Sequence, residues 1–220
     1  MGLRGGGDRE PLLAGTYEQG YYGEVPVSEF ITGNQLATQI GLTAGTAFNS
    51  DVGWLKFSLD NRTLYVAKKP FRYNLNWAAI NTVGAVFGTM QVTINGKLYK
   101  VRLLKGRGDG LETNITAGYD IQPTWGSEWN RLMYHVSASP NAGFTTSEGI
   151  SVGDWAQFTN DELGSVGTGS FSLCQESFMI NTTRYAVVRY WGDRVAGIGT
   201  YAATDTGSMG AWRPCLELVG

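Results

Sequence analysis

Trp54-Leu55-Lys56-Phe57-Ser58-Leu59 and Thr63-Leu64-Tyr65-Val66-Ala67 are two runs of strand-formers with Asp60-Asn61-Arg62 between them. Asn and Asp tolerate left-handed backbone angles and bond to their own backbone, so the tripeptide reads as a turn and the whole as a hairpin. After Pro70 comes Asn76-Trp77-Ala78-Ala79-Ile80-Asn81-Thr82-Val83. Asn76 is a helix cap there, and Trp77, Ile80 and Val83 recur at helical spacing. Residues 91–94 and 97–104 then flank Asn95-Gly96. That dipeptide suits a type I′ turn, which needs positive φ at both central positions. Tyr99, Val101 and Leu103 alternate with Lys100 and Arg102, which predicts one buried and one wet face.

Further along, Ser127 to Val136 reads as a second helix. Ser127 is its cap, Glu128 sits in the first turn, and Trp129, Leu132, Met133 and Val136 share a face. Residues 171–176, 185–191, 195–199 and 212–219 read as strands separated by turn residues. A weaker helix spans 28–41, with Gly33-Asn34 as its cap, Leu36, Ala37 and Ile40 on one face and Gly41 just past its end. Residues 43–53 read as a small-residue linker.

The first 20 residues carry three successive glycines and no period, so they read as an arm that cannot offset its own ordering entropy. Tyr17, Tyr21, Tyr22 and Phe30 follow, with no evident core of their own. Aromatics are enriched at interface cores, which makes these four the expected assembly contacts. The expected division is an arm and linker over 1–53 and a folded domain over 54–220.

Composition narrows the class. Apolar residues make 42% of the chain, enough for a core, and charged residues 16%, below the ordinary share of about 25%. Gly is 31 of 220, about twice its usual 7%. Tight turns and contact surface follow from this, not a helical bundle. A net charge of −2 argues against nucleic acid as the main partner, because phosphate binding needs a Lys/Arg excess. No apolar run reaches the length of a membrane span.

Three motif groups carry a family resemblance. They are Trp54-Leu55-Lys56-Phe57 with Thr63 to Pro70, the run from Val92 to Leu104, and a C-terminal set. That set comprises Gly126-Ser127-Glu128-Trp129-Asn130-Arg131-Leu132-Met133, Cys174-Gln175-Glu176 and Trp212-Arg213-Pro214-Cys215-Leu216-Glu217-Leu218. Together they resemble a group of tailed-bacteriophage virion proteins. The resemblance implies an α+β fold: a C-type-lectin-like domain of short antiparallel strands with two main helices, preceded by the extended N-terminal arm.

It also implies a virion structural protein of the tail, collar or baseplate, made in the host cytoplasm. Such a protein docks through its arm on other virion proteins, self-associates in a symmetric assembly, and displays a lectin-like domain that contacts a host surface glycan or protein. A capsid decoration protein is the rival reading. A glycan-degrading tailspike-type enzyme is more distant, because no paired-carboxylate setting stands out. Trp125, Trp155, Trp191 and Tyr201 fall in the half that is irregular in lectin-like folds and are the expected ligand contacts.

Cofactor and catalytic signals are weak. The sole histidine, His135, lies within the second helix without a motif partner. Calcium-dependent lectins carry Glu-Pro-Asn or Gln-Pro-Asp and a Trp-Asn-Asp triplet. Here Gln122-Pro123-Thr124 lacks the acid and Trp191-Gly192-Asp193 lacks the Asn, so no metal is expected. Arg107-Gly108-Asp109 reads as a turn. Cys174 and Cys215 could close a loop worth about 4 kcal/mol, but a reducing cytoplasm favours two buried thiols.

Overall fold

The computed structural model describes residues 11–108, 126–138, 153–164, 167–190 and 197–219. The chain opens with β1 (Ala14–Gly15), β2 (Gln19–Val25), α1 (Gly33–Gln39) and β3 (Thr46–Ala47). The hairpin β4 (Trp54–Leu59) and β5 (Arg62–Ala67) leads through β6 (Arg72–Tyr73) to α2 (Trp77–Thr82). A second hairpin, β7 (Phe87–Ile94) and β8 (Lys97–Arg102), precedes α3 (Glu128–Val136). The chain ends in β9 (Phe171–Ile180), β10 (Thr183–Arg189), β11 (Ile198–Ala202), β12 (Gly210–Trp212) and β13 (Cys215–Leu218).

These strands make two sheets, ordered β1-β2-β4-β5-β13-β8-β7 and β11-β10-β9-β12-β6-β3. All pairings between these strands are antiparallel except β12 with β9. The fold is therefore α+β, as expected, with the two main helices as α2 and α3 and the weaker one as α1, and its strands form two sheets.

Local chemistry explains the elements that were legible. Asp60 and Asn61 have φ of 50° and 61°, and Asn95 and Gly96 have 50° and 77°, so both hairpins close on type I′ turns. Asn76 accepts from the Ala79 N–H and Ser127 from the Asn130 N–H, as N-caps do. In α1 the cap is Thr32 rather than Gly33-Asn34. Its hydroxyl accepts from the Gln35 N–H while the Gln35 side chain accepts from the Thr32 N–H, a reciprocal capping box. The expected strand over 212–219 is broken at Arg213-Pro214 into β12 and β13, one in each sheet.

The expected arm and linker over 1–53 is corrected for the described part. β2 pairs with β4 from Gln19↔Leu59 to Val25↔Trp54, and β3 pairs with β6. Ile31, Leu36, Ala37, Ile40 and Leu42 lie in the same core cluster as Trp54 and Trp77. No boundary separates these residues from the rest, because their apolar side chains complete a core that the later strands leave open. Residues 1–10 lie outside the described part.

Successive strand residues feed two clusters. Trp54, Tyr65, Val101 and Leu216 join α1 and α2 in the first. Leu55, Phe57, Leu64 and Cys215 join α3 in the second, with Trp129, Leu132, Met133 and Val136 all buried. The alternation of a pleated strand thus lets one sheet bury both faces. Arg102 departs from the expected wet face and is 4% exposed. Its partners are remote in sequence: Glu217 on β13 and Glu128 at the start of α3.

Candidate functional site

α1, α2 and the half-buried ring of Phe30 cover the end of the first sheet that carries Trp54 and Tyr65. Phe30 stacks on Tyr65 at 4.5 Å and meets Trp54 and Tyr99 edge-on. Farther along the same face, Lys56, Ser58 and Thr63 line an open groove together with Tyr17, Tyr22, Asn61 and Arg62. Tyr17 is 60% exposed at the turn between β1 and β2. The Lys56 ammonium lies 5.7 Å from the Tyr22 ring centroid and 5.4 Å from that of Tyr65. Asn61 also borders an adjoining basin formed by Thr16, Glu18, Gln19, Asp60 and Arg131.

The floor of this surface is held in place from below. Arg131 grips Asp60 with both terminal nitrogens, at 2.8 and 2.6 Å, and donates from Nε to Gln19 Oε1 at 3.1 Å. That hydrogen bonding holds the Asp60 carboxyl below its usual range, against the opposing effect of burial. Arg62 donates to Glu128 at 3.0 Å. The turn between β1 and β2 sits where it does because Gly15, at φ 80°, packs against Trp155. A Cβ there would lie 2.5 Å from the Gln19 carbonyl oxygen and 3.0 Å from the Trp155 ring.

Beneath the basin, His135 has the partner that its sequence neighbourhood did not show. Its Nδ1 is hydrogen-bonded to Asp154, and its ring stacks on Trp155 at 4.1 Å. On the other side Nε2 faces Gln19 Nε2 at 3.4 Å. Gln19 Oε1 is already taken by Arg131, so the Gln19 amide presents its N–H to His135. This arrangement fits the Nδ1–H tautomer of the neutral ring, with Nε2 as acceptor. Both ring nitrogens are occupied, and the histidine works as a clamp that ties β2, α3 and residues 154–155 together.

The expected contact residues divide unevenly. Tyr17 and Tyr22 line the groove. Tyr21 points the other way and is buried against Phe57 at 5.5 Å, so it is core and not an assembly contact. Phe30 packs into the fold, with its edge in a neighbouring depression. Trp155 packs against the second cluster and Tyr201 against the first, so the structure does not bring these two together as one surface. Trp125 and Trp191, with Gln122-Pro123-Thr124 and Trp191-Gly192-Asp193, lie outside the described residues. Arg107 of the Arg-Gly-Asp triplet is buried, and its N–H bonds Glu176; Asp109 lies outside the described residues.

Among the described residues, no group of three or more His, Cys, Asp or Glu side chains could hold a metal ion. No described helix is long and apolar enough to cross a membrane. Cys174 and Cys215 are free, buried thiols, as expected. This surface offers two tyrosine rings, short hydroxyl and amide side chains, and cations already neutralised or resting on rings. The signal missed in sequence was the Tyr17/Tyr22 pairing with the Asp60-Asn61 turn, which only the β2–β4 register creates. Comparison with family models, with characterised proteins and with solved structures finds no match to this chain.

Proposed function

We propose that this chain is a structural protein of a tailed-bacteriophage virion, in the tail, collar or baseplate, and that its fold is C-type-lectin-like. The motifs that carry the resemblance form the framework of the molecule: the β4–β5 and β7–β8 hairpins, the start of α3, and the β12–β13 crossing. The C-terminal strand β13 inserts between β5 and β8, so chain end and chain middle share one sheet, which supports the lectin-like reading. Docking by a detachable arm is not part of the proposal for residues 11–53, since they carry the core.

The observation that carries a display role is the open groove with Tyr17 and Tyr22. An exposed ring at the tip of a rigid hairpin supplies contact area at low entropy cost, and short polar side chains around it fix orientation. We assign this groove to contact with the host surface, with a glycan as the ligand. The test has two arms. Mass spectrometry and antibody labelling of particles from a phage encoding this chain should find it on the virion; its absence from purified particles ends the virion reading. Purified protein should bind host cells and compete with infection, and Tyr17→Ala with Tyr22→Ala should abolish both while leaving the melting temperature within a few degrees. A double variant that binds cells as well as the parent moves the contact away from this groove.

A further inference from the structure

The first sheet ends on β7; among the described residues the part of that edge from Gln91 to Ile94 is uncovered, while the part before it is bulged between Phe87 and Met90 and tied to the Gly84 carbonyl by the Thr89 hydroxyl and the Met90 N–H. Sheets protect their edges with charges, prolines, bulges, short strands or covering elements, because unpaired N–H and C=O groups are a template for another strand. The opposite edge, β1, is two residues long. β7 is eight residues long, Phe-Gly-Thr-Met-Gln-Val-Thr-Ile, without a charge or a proline. Among the described strands none pairs with its outer side.

The hairpin fixes which backbone groups face out. Asn95-Gly96 is a two-residue turn, so Ile94↔Lys97 is a hydrogen-bonded pair and the backbone groups of Gln91 and Thr93 point away from β8. Thr89, Gln91 and Thr93 are all exposed. Two large apolar side chains flank the same edge. Phe87 begins it and is 56% exposed, while Leu98, opposite Thr93 near its far end, is 39% exposed.

We propose that β7 is the interface between two copies of this chain, paired antiparallel about a two-fold axis through Gln91. The edge is complementary to itself. Gln91 faces Gln91 of the other copy, in the outward-pointing position that forms a hydrogen-bonded pair, and Thr93 runs alongside the bulged Gly88-Thr89 of the other strand. No like charges meet, because the strand has none. The antiparallel direction carries Phe87 of one copy toward the Thr93 and Leu98 end of the other, so each covers apolar surface that its own chain leaves open. Two seven-stranded sheets become one continuous sheet. A two-fold interface of this kind is closed and needs no third component. The inference is independent of the virion reading.

The test is the mass of the full-length protein in solution. Sedimentation should show a concentration-dependent dimer. Gln91→Cys should cross-link to a covalent dimer on mild oxidation, since the native thiols are buried. Gln91→Lys and Gln91→Glu should each be monomeric, because each places like charges on the axis, and an equimolar mixture of the two should dimerise again. Circular dichroism confirms that the exposed substitutions leave the fold intact; if one does not, the Gln91→Cys cross-link decides. A protein that stays monomeric up to about 1 mM, or a dimer that neither charge variant weakens, overturns the proposal.

Discussion

Arg102 and Glu128 meet as a buried two-point ion pair, Nη1 to Oε2 at 2.6 Å and Nη2 to Oε1 at 2.9 Å. Arg102 also reaches Glu217 at 2.8 Å, and Arg62 joins the same carboxylate of Glu128 from the groove side. The network therefore links β5, β8 and β13 to the first turn of α3. Because Glu128 sits at the helix start, the exposed N–H groups there favour its charge as well.

Burial alone would raise the Glu128 carboxyl. Arg102, the Lys105 N–H and Arg62 outweigh that and hold it below the usual range. Its folded pKa is thus lower than its unfolded value of about 4.3. The pair contributes fully above that unfolded value, and its contribution is lost as pH falls through the folded pKa. Glu176 pulls the other way, since burial raises its carboxyl. Acid titration of unfolding free energy should show stability falling below about pH 4.3, and Glu128→Gln should flatten that fall. At neutral pH the same variant should cost about 3–5 kcal/mol, as for removal of one partner of a buried pair. A variant with the parent's acid profile would show that the pair is not the acid-sensitive element.

Much of this was legible in sequence, and the limit is physical. Asn95-Gly96, the Asn76 and Ser127 caps, and the period of Trp129, Leu132, Met133 and Val136 are local signals with local causes. Arg102 was read as wet because alternation describes one strand at a time, whereas its burial depends on Glu217 and Glu128, 115 and 26 residues away. Tyr21 and Tyr22 look alike in sequence. The β2–β4 pairing sets Tyr21 opposite Phe57 in the core, and strand alternation turns Tyr22 to the groove. His135 lacked a motif because Asp154 is 19 residues away across a non-repeating segment.

The His135 clamp predicts a spectroscopic state. Nitrogen NMR of the neutral ring should show the Nδ1–H tautomer, because Asp154 accepts at Nδ1 and the Gln19 N–H is directed at Nε2. Asp154→Ala should weaken that bias, leaving the Gln19 N–H alone to favour it, and change Trp155 fluorescence through the stacked pair. An Nε2–H tautomer in the parent protein would mean that the Gln19 amide is turned the other way.

Both cysteines are screened from solvent, and burial pushes the Cys215 thiol up to about 12, with Cys174 also raised. A thiol-specific reagent at pH 8 should find no reactive group in the native protein and two after denaturation. Reductant should leave the melting temperature unchanged. A native-state reaction of one equivalent on the scale of minutes would show that one thiol reaches the surface through local opening.

Removal of residues 1–30 tests whether the N-terminal segment is arm or framework. It takes away β1 and β2, and with them the backbone pairing along one side of β4 and the Tyr21 ring against Phe57, leaving β4 paired with β5 alone. The shortened chain should lose cooperative melting. A truncated protein that melts as sharply and as high as the parent would restore the arm.

Arg213 offers the most direct test of how the two sheets are joined. It sits between β12 and β13, at the point where the chain leaves one sheet for the other. It is buried, and its guanidinium donates to the Ala67, Lys68 and Leu163 carbonyls and to the Ser172 hydroxyl. Trp129 and Tyr190 lie at 5.8 and 5.3 Å from it, in cation–π range. Among the described residues no carboxylate pairs with it. Burial pulls its pKa down to about 10, which still leaves it charged at neutral pH. A fork with several donors satisfies three carbonyls from two segments and a hydroxyl from a third at once, which an ammonium cannot do in the same geometry. Arg213→Lys should therefore destabilise by about 2–4 kcal/mol, and Arg213→Met by a similar amount because the carbonyls lose their donors. Denaturant titration measures both. A lysine variant within about 0.5 kcal/mol of the parent would show that charge at this corner suffices and that the fork geometry is not what joins the sheets.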